Sequence, residues 1–297
     1  MSPLAPLAPL AMLLAMPTDL SARPPDVATF GESVKSGTGV SGIRWERQFE
    51  EALRKARAAR KPILVDFWAE WCGWCHKLDS TTYADPAVVK LSEHFVAVKV
   101  DTEGSARGQA IAFRYDVSSL PTIAFLSPQG RPLMRLNGFQ GPGQFPRTME
   151  AARDVARRVM GWEDALDKRP EDPGSLAALG VHLFEQDALT ESGQLLGRAI
   201  RLDEGRPLEE RKHSRMLLGA ILKTQKKHAE AERVLKSGLL LPSHAYDAKI
   251  LYVLGKNYLA WGRPNDGRWA LQQVVTQHGQ SAIAEKARET LVALEKK

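Results

Sequence analysis

From residue 45 to residue 139 the spacing of apolar positions switches repeatedly between a helical period and strand-like runs, and each switch predicts an element. In "WERQFEEALRKARAARK" the residues Trp45, Phe49, Leu53 and Ala56 fall at helical spacing with Arg, Lys and Glu on the other faces, which predicts an amphipathic helix. "PILVDFWA" follows as a short apolar run, the pattern of a strand buried on both faces. Asp85 before Pro86 signals a helix start, "FVAVKVD" from Phe95 to Asp101 a second strand, and Ser105 to Tyr115 another helix. "LPTIAFLS" and "RPLMRLNGF" predict an antiparallel pair joined by the turn residues Ser127, Pro128, Gln129 and Gly130. The order helix, strand, helix, strand, helix, strand, strand, helix describes an α/β unit with a central mixed sheet covered on both faces.

Beyond about Gln144 the strand signal disappears and the chain reads as helix. "LAALGVHLF", "RMLLGAILK" and "ILYVLGKNYL" share one pattern when aligned on Gly180, Gly219 and Gly255. Twelve residues after each glycine stands a small residue, Ser192, Ala231 or Gly267, and four further on a leucine, Leu196, Leu235 or Leu271. This pattern resembles the tetratricopeptide repeat, where a small residue on one helix lets its partner approach. The spacings of 39 and 36 residues exceed that family's ~34, which implies longer connections. An irregular bundle would share the apolar spacing, but small and large positions recurring together favour three repeats closed by a helix from Ser281 to Lys297. The expected organisation is a signal-like segment and linker over 1–42, the α/β domain over 43–162 and all-α helical repeats over 163–297.

Composition narrows the class. With 43% apolar and 26% charged residues the chain is that of a soluble globular protein, and no stretch has the eighteen or so apolar residues of a membrane span. The net charge of +6 is scattered among nearly as many acids, without a basic block interleaved with aromatics, so nucleic acid is not an expected partner. The apolar run Leu4 to Met16, followed by small residues at Ser21 and Ala22, resembles a secretory signal cleaved near Ala22. That favours an extracytoplasmic location. A cytoplasmic one is the alternative, because no Lys or Arg precedes the run and Pro6 and Pro9 disfavour its helix.

The candidate chemistry lies in "WAEWCGWCHKLD", which holds the two cysteines of the chain, Cys72 and Cys75. A metal clip would need four ligands, and His76, directly after Cys75, is badly placed to complete a tetrahedron. No metal is therefore expected. A purely structural bridge closing so short a loop would restrain the unfolded chain little. Redox chemistry remains: one exposed, partly ionised thiol attacks a disulfide and a second resolves the mixed disulfide. A helix beginning at Cys72 would favour its thiolate through the positive end of the dipole and lower the pKa from ~8.5 towards ~7.

"ILVDFWAEWCGWC", from Ile63 to Cys75, resembles the thioredoxin family, and within it the branch carrying a tryptophan inside the motif. The resemblance runs from about Trp45 to Trp162 and implies a thioredoxin-like fold with a redox-active Cys72–Cys75 disulfide as its only cofactor. It implies that Cys72 is the nucleophile, that Cys75 resolves, and that Asp66, six residues before Cys72, is a buried acid taking the proton of the resolving thiol. Leu120 and Pro121 match the segment whose cis proline faces the cysteines. With Trp71, Gly73, Trp74 and Gly138 they are the implied substrate-binding residues. The departures are Gly-Trp between the cysteines where thioredoxin has Gly-Pro, His76 in place of a basic residue, and Ala97 in the place of a lysine that pairs with the buried acid in some members. Gly73 and Trp74 supply no charge to stabilise a reduced thiolate, which points to a reductase or exchanger. The expected function is a protein-disulfide oxidoreductase that acts on protein disulfides, is recharged by an electron donor and docks a partner protein or peptide on its repeats. The alternative is a scaffold or chaperone-like protein whose thioredoxin-like part is only structural.

Overall fold

The computed structural model describes residues 42–244 and 246–295. The signal-like run and its cleavage position near Ala22 lie outside the described residues. The first half comprises β1 (Trp45–Glu46), α1 (Phe49–Ala59), β2 (Ile63–Trp68), α2 (Gly73–Lys77), α3 (Pro86–Ser92), β3 (Val96–Asp101), α4 (Ala106–Arg114), β4 (Thr122–Leu126) and β5 (Pro132–Asn137). A π-helical turn, Leu78–Thr82, extends α2. The strands form one mixed sheet in the order β1-β3-β2-β4-β5, with β3 parallel to both β1 and β2, and β4 antiparallel to β2 and β5.

Local chemistry sets several of these ends. Asp85 Oδ1 accepts hydrogen bonds from the Ala87 and Val88 amides at 2.9 and 3.2 Å, with Pro86 opening the first turn of α3. Ser105 caps α4 in the same way through the Gly108 amide. One expectation fails: Trp45 does not begin the first helix but pairs with Ala97 in β1, and α1 starts at Phe49. Sheet pairing and the packing of the Trp45 ring edge-on to Tyr83, at 5.1 Å, override the helical spacing.

Side chains alternate across the sheet into two cores. Ile63, Val65, Phe67, Val98 and Val100 face α1 and α4, whereas Leu64, Ala97, Ile123 and Phe125 face α3 and α5. By the same parity Asp66 and Lys99 project towards the second side. The fold class is the expected one: the apolar pattern predicts a mixed sheet covered by helices with a helix-rich region after it, and the resemblance implies that this sheet is thioredoxin-like.

That region comprises α5 (Phe145–Lys168), α6 (Pro173–Glu185), α7 (Leu189–Arg201), α8 (Leu208–Thr224), α9 (His228–Leu239), α10 (Asp247–Ala260), α11 (Pro264–Gln277) and α12 (Ala282–Glu295). A single helix, α5, runs through position 162. The next helices pack as the pairs α6 with α7, α8 with α9 and α10 with α11, and α12 lies against α11. The glycines are what allow each pair to close. A Cβ added at Gly180, Gly219 or Gly255 would lie 2.9, 2.5 and 2.9 Å from Leu196, Leu235 and Leu271 respectively. Ser192 also donates its hydroxyl to the Gly180 carbonyl at 2.7 Å. The first pair is fused to the sheet, since Leu176, Leu179, Leu183 and Leu195 belong to the same core as Phe125 and Phe145.

Overpacking a tight helix contact costs about 1–3 kcal/mol, so Gly219→Val should lower the urea midpoint by that equivalent. Gly161→Ala, where an added Cβ meets nothing within 4 Å, should instead stabilise the helix by about 0.5–1 kcal/mol. Equal effects at the two sites would contradict the close-approach role of Gly219.

Candidate functional site

The site is built where β2 ends. Residues 69–71 form a turn closed by the Cys72 amide donating to the Ala69 carbonyl at 3.0 Å, and Cys72, with extended backbone, caps α2. Its Sγ accepts from the Cys75 amide at 3.2 Å. A sulfur so placed meets a backbone donor at the positive end of the helix, an environment that favours thiolate. Cys72 and Cys75 are joined in a disulfide with their Cα atoms 5.2 Å apart. Among the described residues no group of His, Cys, Asp and Glu could hold a metal ion.

The expectation of an exposed first sulfur needs correction: in the disulfide form Cys72 is 3% exposed and Cys75 1%. Little of the Cys72 sulfur reaches solvent in this form. The exposed surface belongs to the tryptophans on either side, Trp71 at 68% and Trp74 at 59%. The Trp71 indole N–H donates to Glu103 Oε2 at 2.8 Å, which fixes the ring. Trp74 packs on Phe139 with ring centroids 5.4 Å apart. A Cβ at Gly73 would meet nothing within 4 Å, so the backbone between the tryptophans is open.

Across from this helix the Leu120–Pro121 peptide bond is cis. The Pro121 carbonyl accepts from the Gly138 amide at 2.8 Å, and Gly138 has φ +89°, a conformation that favours glycine. Through Phe139 the Gly138 segment is tied to Trp74, so the proline loop and the cysteine helix share one rim. Leu120 is half-buried and packs against the α1 and α4 side of the sheet. Neither Glu103 nor Phe139 was singled out by sequence, since each makes its contact from a loop without periodicity.

Asp66 lies wholly buried in β2. Its Oδ2 is 3.1 Å from Lys99 Nζ, and neither carboxylate oxygen accepts a well-formed hydrogen bond. Lys99 also pairs with Asp79 on the turn that extends α2. Its ammonium sits 5.3 Å from the Trp45 ring and 5.6 Å from those of Trp68 and Tyr83, a cation–π enclosure. Burial pushes the Asp66 carboxyl above its ordinary pKa, with Lys99 opposing the rise and Asp79 adding to it. Burial, reinforced by Asp66, likewise pushes the Tyr83 phenol well up.

The reading of Ala97 as the place of the acid's partner is thus overturned. In the parallel register Asp66 stands opposite Lys99, whereas Ala97 stands opposite Leu64, one pleat away. A signal was available. Lys99 is the one cation in the apolar run "FVAVKVD", and Asp66 is the one acid inside "ILVDFW". Two lone opposite charges in buried strands must find each other.

The raised carboxyl has a stability consequence. Unfolded, Asp66 titrates near ~3.9; folded, it titrates higher. Between those two values the native state holds a proton that the unfolded state has released, so this group lowers stability as pH rises through the window. Asp66→Asn should therefore be more stable than the native chain at pH 7, and the gain should vanish below about pH 4. Urea denaturation across pH measures this; a gain independent of pH would contradict the raised carboxyl.

Residues 44–128 match the family described as Thioredoxin-like. A thioredoxin-like protein of Synechocystis is 32% identical over 105 residues, which cover 35% of this chain and 94% of that one. The thiol:disulfide interchange protein DsbD of Vibrio vulnificus is 35% identical over 106 residues, again 35% of this chain but only 18% of its own length. The solution structure of a thioredoxin from Thermus thermophilus is 29% identical, covering 39% of this chain and 90% of that one, with a TM-score of 0.36. With the sheet order, the cysteine pair capping α2 and the Synechocystis relative covered almost end to end, the chain belongs to the thioredoxin-like family.

Proposed function

We propose that the protein is a thiol-disulfide oxidoreductase that reduces or exchanges disulfides in other proteins. The observation that carries this reading is the Cys72–Cys75 disulfide at the start of α2, with the Cys72 sulfur against a backbone N–H. In the reduced enzyme Cys72 attacks as thiolate on one sulfur of a substrate disulfide. A mixed disulfide forms, and the other substrate sulfur leaves as a thiolate. Cys75 then attacks the Cys72 sulfur, which restores the observed disulfide and releases the second substrate thiolate. Two electrons pass to the substrate, and the two protons given up by the cysteines end on its thiols. Asp66 accepts the proton of Cys75, a role suited to a carboxyl raised by burial. Lys99 and Asp79 connect that acid to the turn following Cys75. A dithiol protein acting as electron donor returns Cys72–Cys75 to the reduced form.

The reductase direction rests on what surrounds the motif. Strong oxidants hold their thiolate with added positive charge or donors. Here Gly73 and Trp74 bring none, and the His76 ring nitrogen is engaged by the Glu70 carbonyl at 2.7 Å. We read the motif as the tryptophan-containing branch of the family, with Trp71, Gly73, Trp74, Leu120, Pro121 and Gly138 lining the substrate groove. The pairs from α6 to α11 are read as tetratricopeptide-like repeats that dock a partner protein or peptide. Their support is the glycine–leucine contact recurring at the same offset in all three pairs. An extracytoplasmic location completes the proposal. No helix among the described residues is long and apolar enough to cross a membrane.

Reduction of insulin by dithiothreitol should be accelerated by the native protein and fall to the uncatalysed rate with Cys72→Ser. Equal rates would instead support the scaffold reading. Cys75→Ser should accumulate client proteins covalently bound to Cys72, and their absence would count against protein substrates. The N-terminal residue of the native protein tests location: cleavage near Ala22 is expected, and an intact apolar run would contradict export.

A further inference from the structure

At the opposite end of β2 from the cysteines lies a cleft of about 410 Å³. Its floor is apolar, formed by Pro62, Ala156 and Met160, and its rim is cationic, with Arg60, Lys61, Arg153 and Arg157 against the single carboxylate Asp164. Pro62 immediately precedes β2, and Cys72 follows its far end. Six strand residues at ~3.3 Å each separate the two sites by roughly 20 Å.

The rim charges are available. Arg60 is paired with Asp164, and Arg157 with Asp154 one turn away on α5, and these side chains are mostly exposed. Exposed ion pairs contribute only about 0–1 kcal/mol, so an incoming carboxylate can replace either partner at little cost. Lys61 is held by a carbonyl alone, that of Glu93 at 2.7 Å. Arg153 has no ion pair or side-chain hydrogen bond among the described residues. The exposed His94 imidazole adds a further polar group to the wall.

We propose that this cleft docks an acidic segment of a partner protein, with carboxylates on Arg153 and Arg157 and an apolar side chain over Met160 and Ala156. Charge complementarity selects the acid, and the apolar floor selects a peptide over a bare anion. The cations are spread around an open mouth rather than gathered on a glycine-rich loop, which suits several carboxylates along a chain better than one phosphate. A partner bound here would leave the Cys72 rim free. The site is independent of the redox reading and of the helical pairs.

The test uses the full chain on an array of random short peptides, with inorganic phosphate and phosphatidylglycerol vesicles as separate arms. The expected result is enrichment of peptides with Asp or Glu beside Leu, Met or Phe, weakened by salt. Affinity for the best of them should fall at least about tenfold with Arg153→Glu and again with Arg157→Glu, while insulin reduction is unchanged. Gly161→Phe fills the cleft from a position open to solvent and should also weaken binding without altering charge, with the urea midpoint reporting that each variant is folded. No acidic enrichment, retention of binding in the charge-reversed variants, or charge-dependent binding of phosphate or vesicles in place of peptides would each overturn the proposal.

Discussion

Asp66 and Lys99 meet across adjacent parallel strands, on the side of the sheet covered by α3 and α5, and the wholly buried carboxylate has the Lys99 ammonium 3.1 Å away as its counter-charge. An unpartnered charge taken into a protein interior costs several kcal/mol, and one that keeps its partner still loses hydration. The residues around the pair reflect that constraint. Trp45, Trp68 and Tyr83 surround the ammonium, and Asp79 gives it a second, more exposed carboxylate. The short strand β1 has a role here too: it brings Trp45 over the sheet edge so that its ring covers Lys99. Because compensation of Asp66 is incomplete, its carboxyl stays raised, as the proton-accepting role proposed for it requires.

A second constraint joins the two halves of the chain. The turn between β4 and β5 is clamped by Arg131, which pairs with Glu163 on α5 and Glu191 on α7, while Ser127 donates to Glu163. His182 on α6 reaches the Pro132 carbonyl at 2.9 Å, and burial pushes its pKa down, which keeps it a neutral donor. With leucines of α6 and α7 in the core of the sheet, the first helical pair is part of the same folded body as the thioredoxin-like unit. These contacts lie at the end of β4 remote from Pro121. On the cysteine rim Trp71 and Trp74 stay exposed.

Much of this was legible in the sequence because it is local. Strands β2 to β4 announce themselves as β-branched or aromatic runs, β5 by the turn residues before it, α3 and α4 by their capping residues, and the helical pairs by a glycine and a leucine sixteen residues apart. What escaped is what depends on register and burial. Trp45 obeys the helical period yet pairs in a strand, because pairing is decided by a partner fifty residues away. The place of the acid's partner falls at Lys99 and not at Ala97, two residues earlier, because no local pattern says which residue of one strand faces a given residue of another. Trp71 and Trp74 could be named from the motif, but their supports, Glu103 and Phe139, come from loops whose only signal is spatial. The burial of Cys72 likewise depends on how the surrounding chain packs, which the local motif does not specify.

The central claim is that Cys72 is the acidic, attacking thiol of the pair. Titrating thiolate absorbance in the reduced protein, with Cys75→Ser to isolate the signal, tests it most directly. The account predicts a midpoint clearly below the ~8.5 of a free cysteine. A midpoint at or above that value would show that the end of α2 does not activate the sulfur, and the proposed chemistry would fail with it.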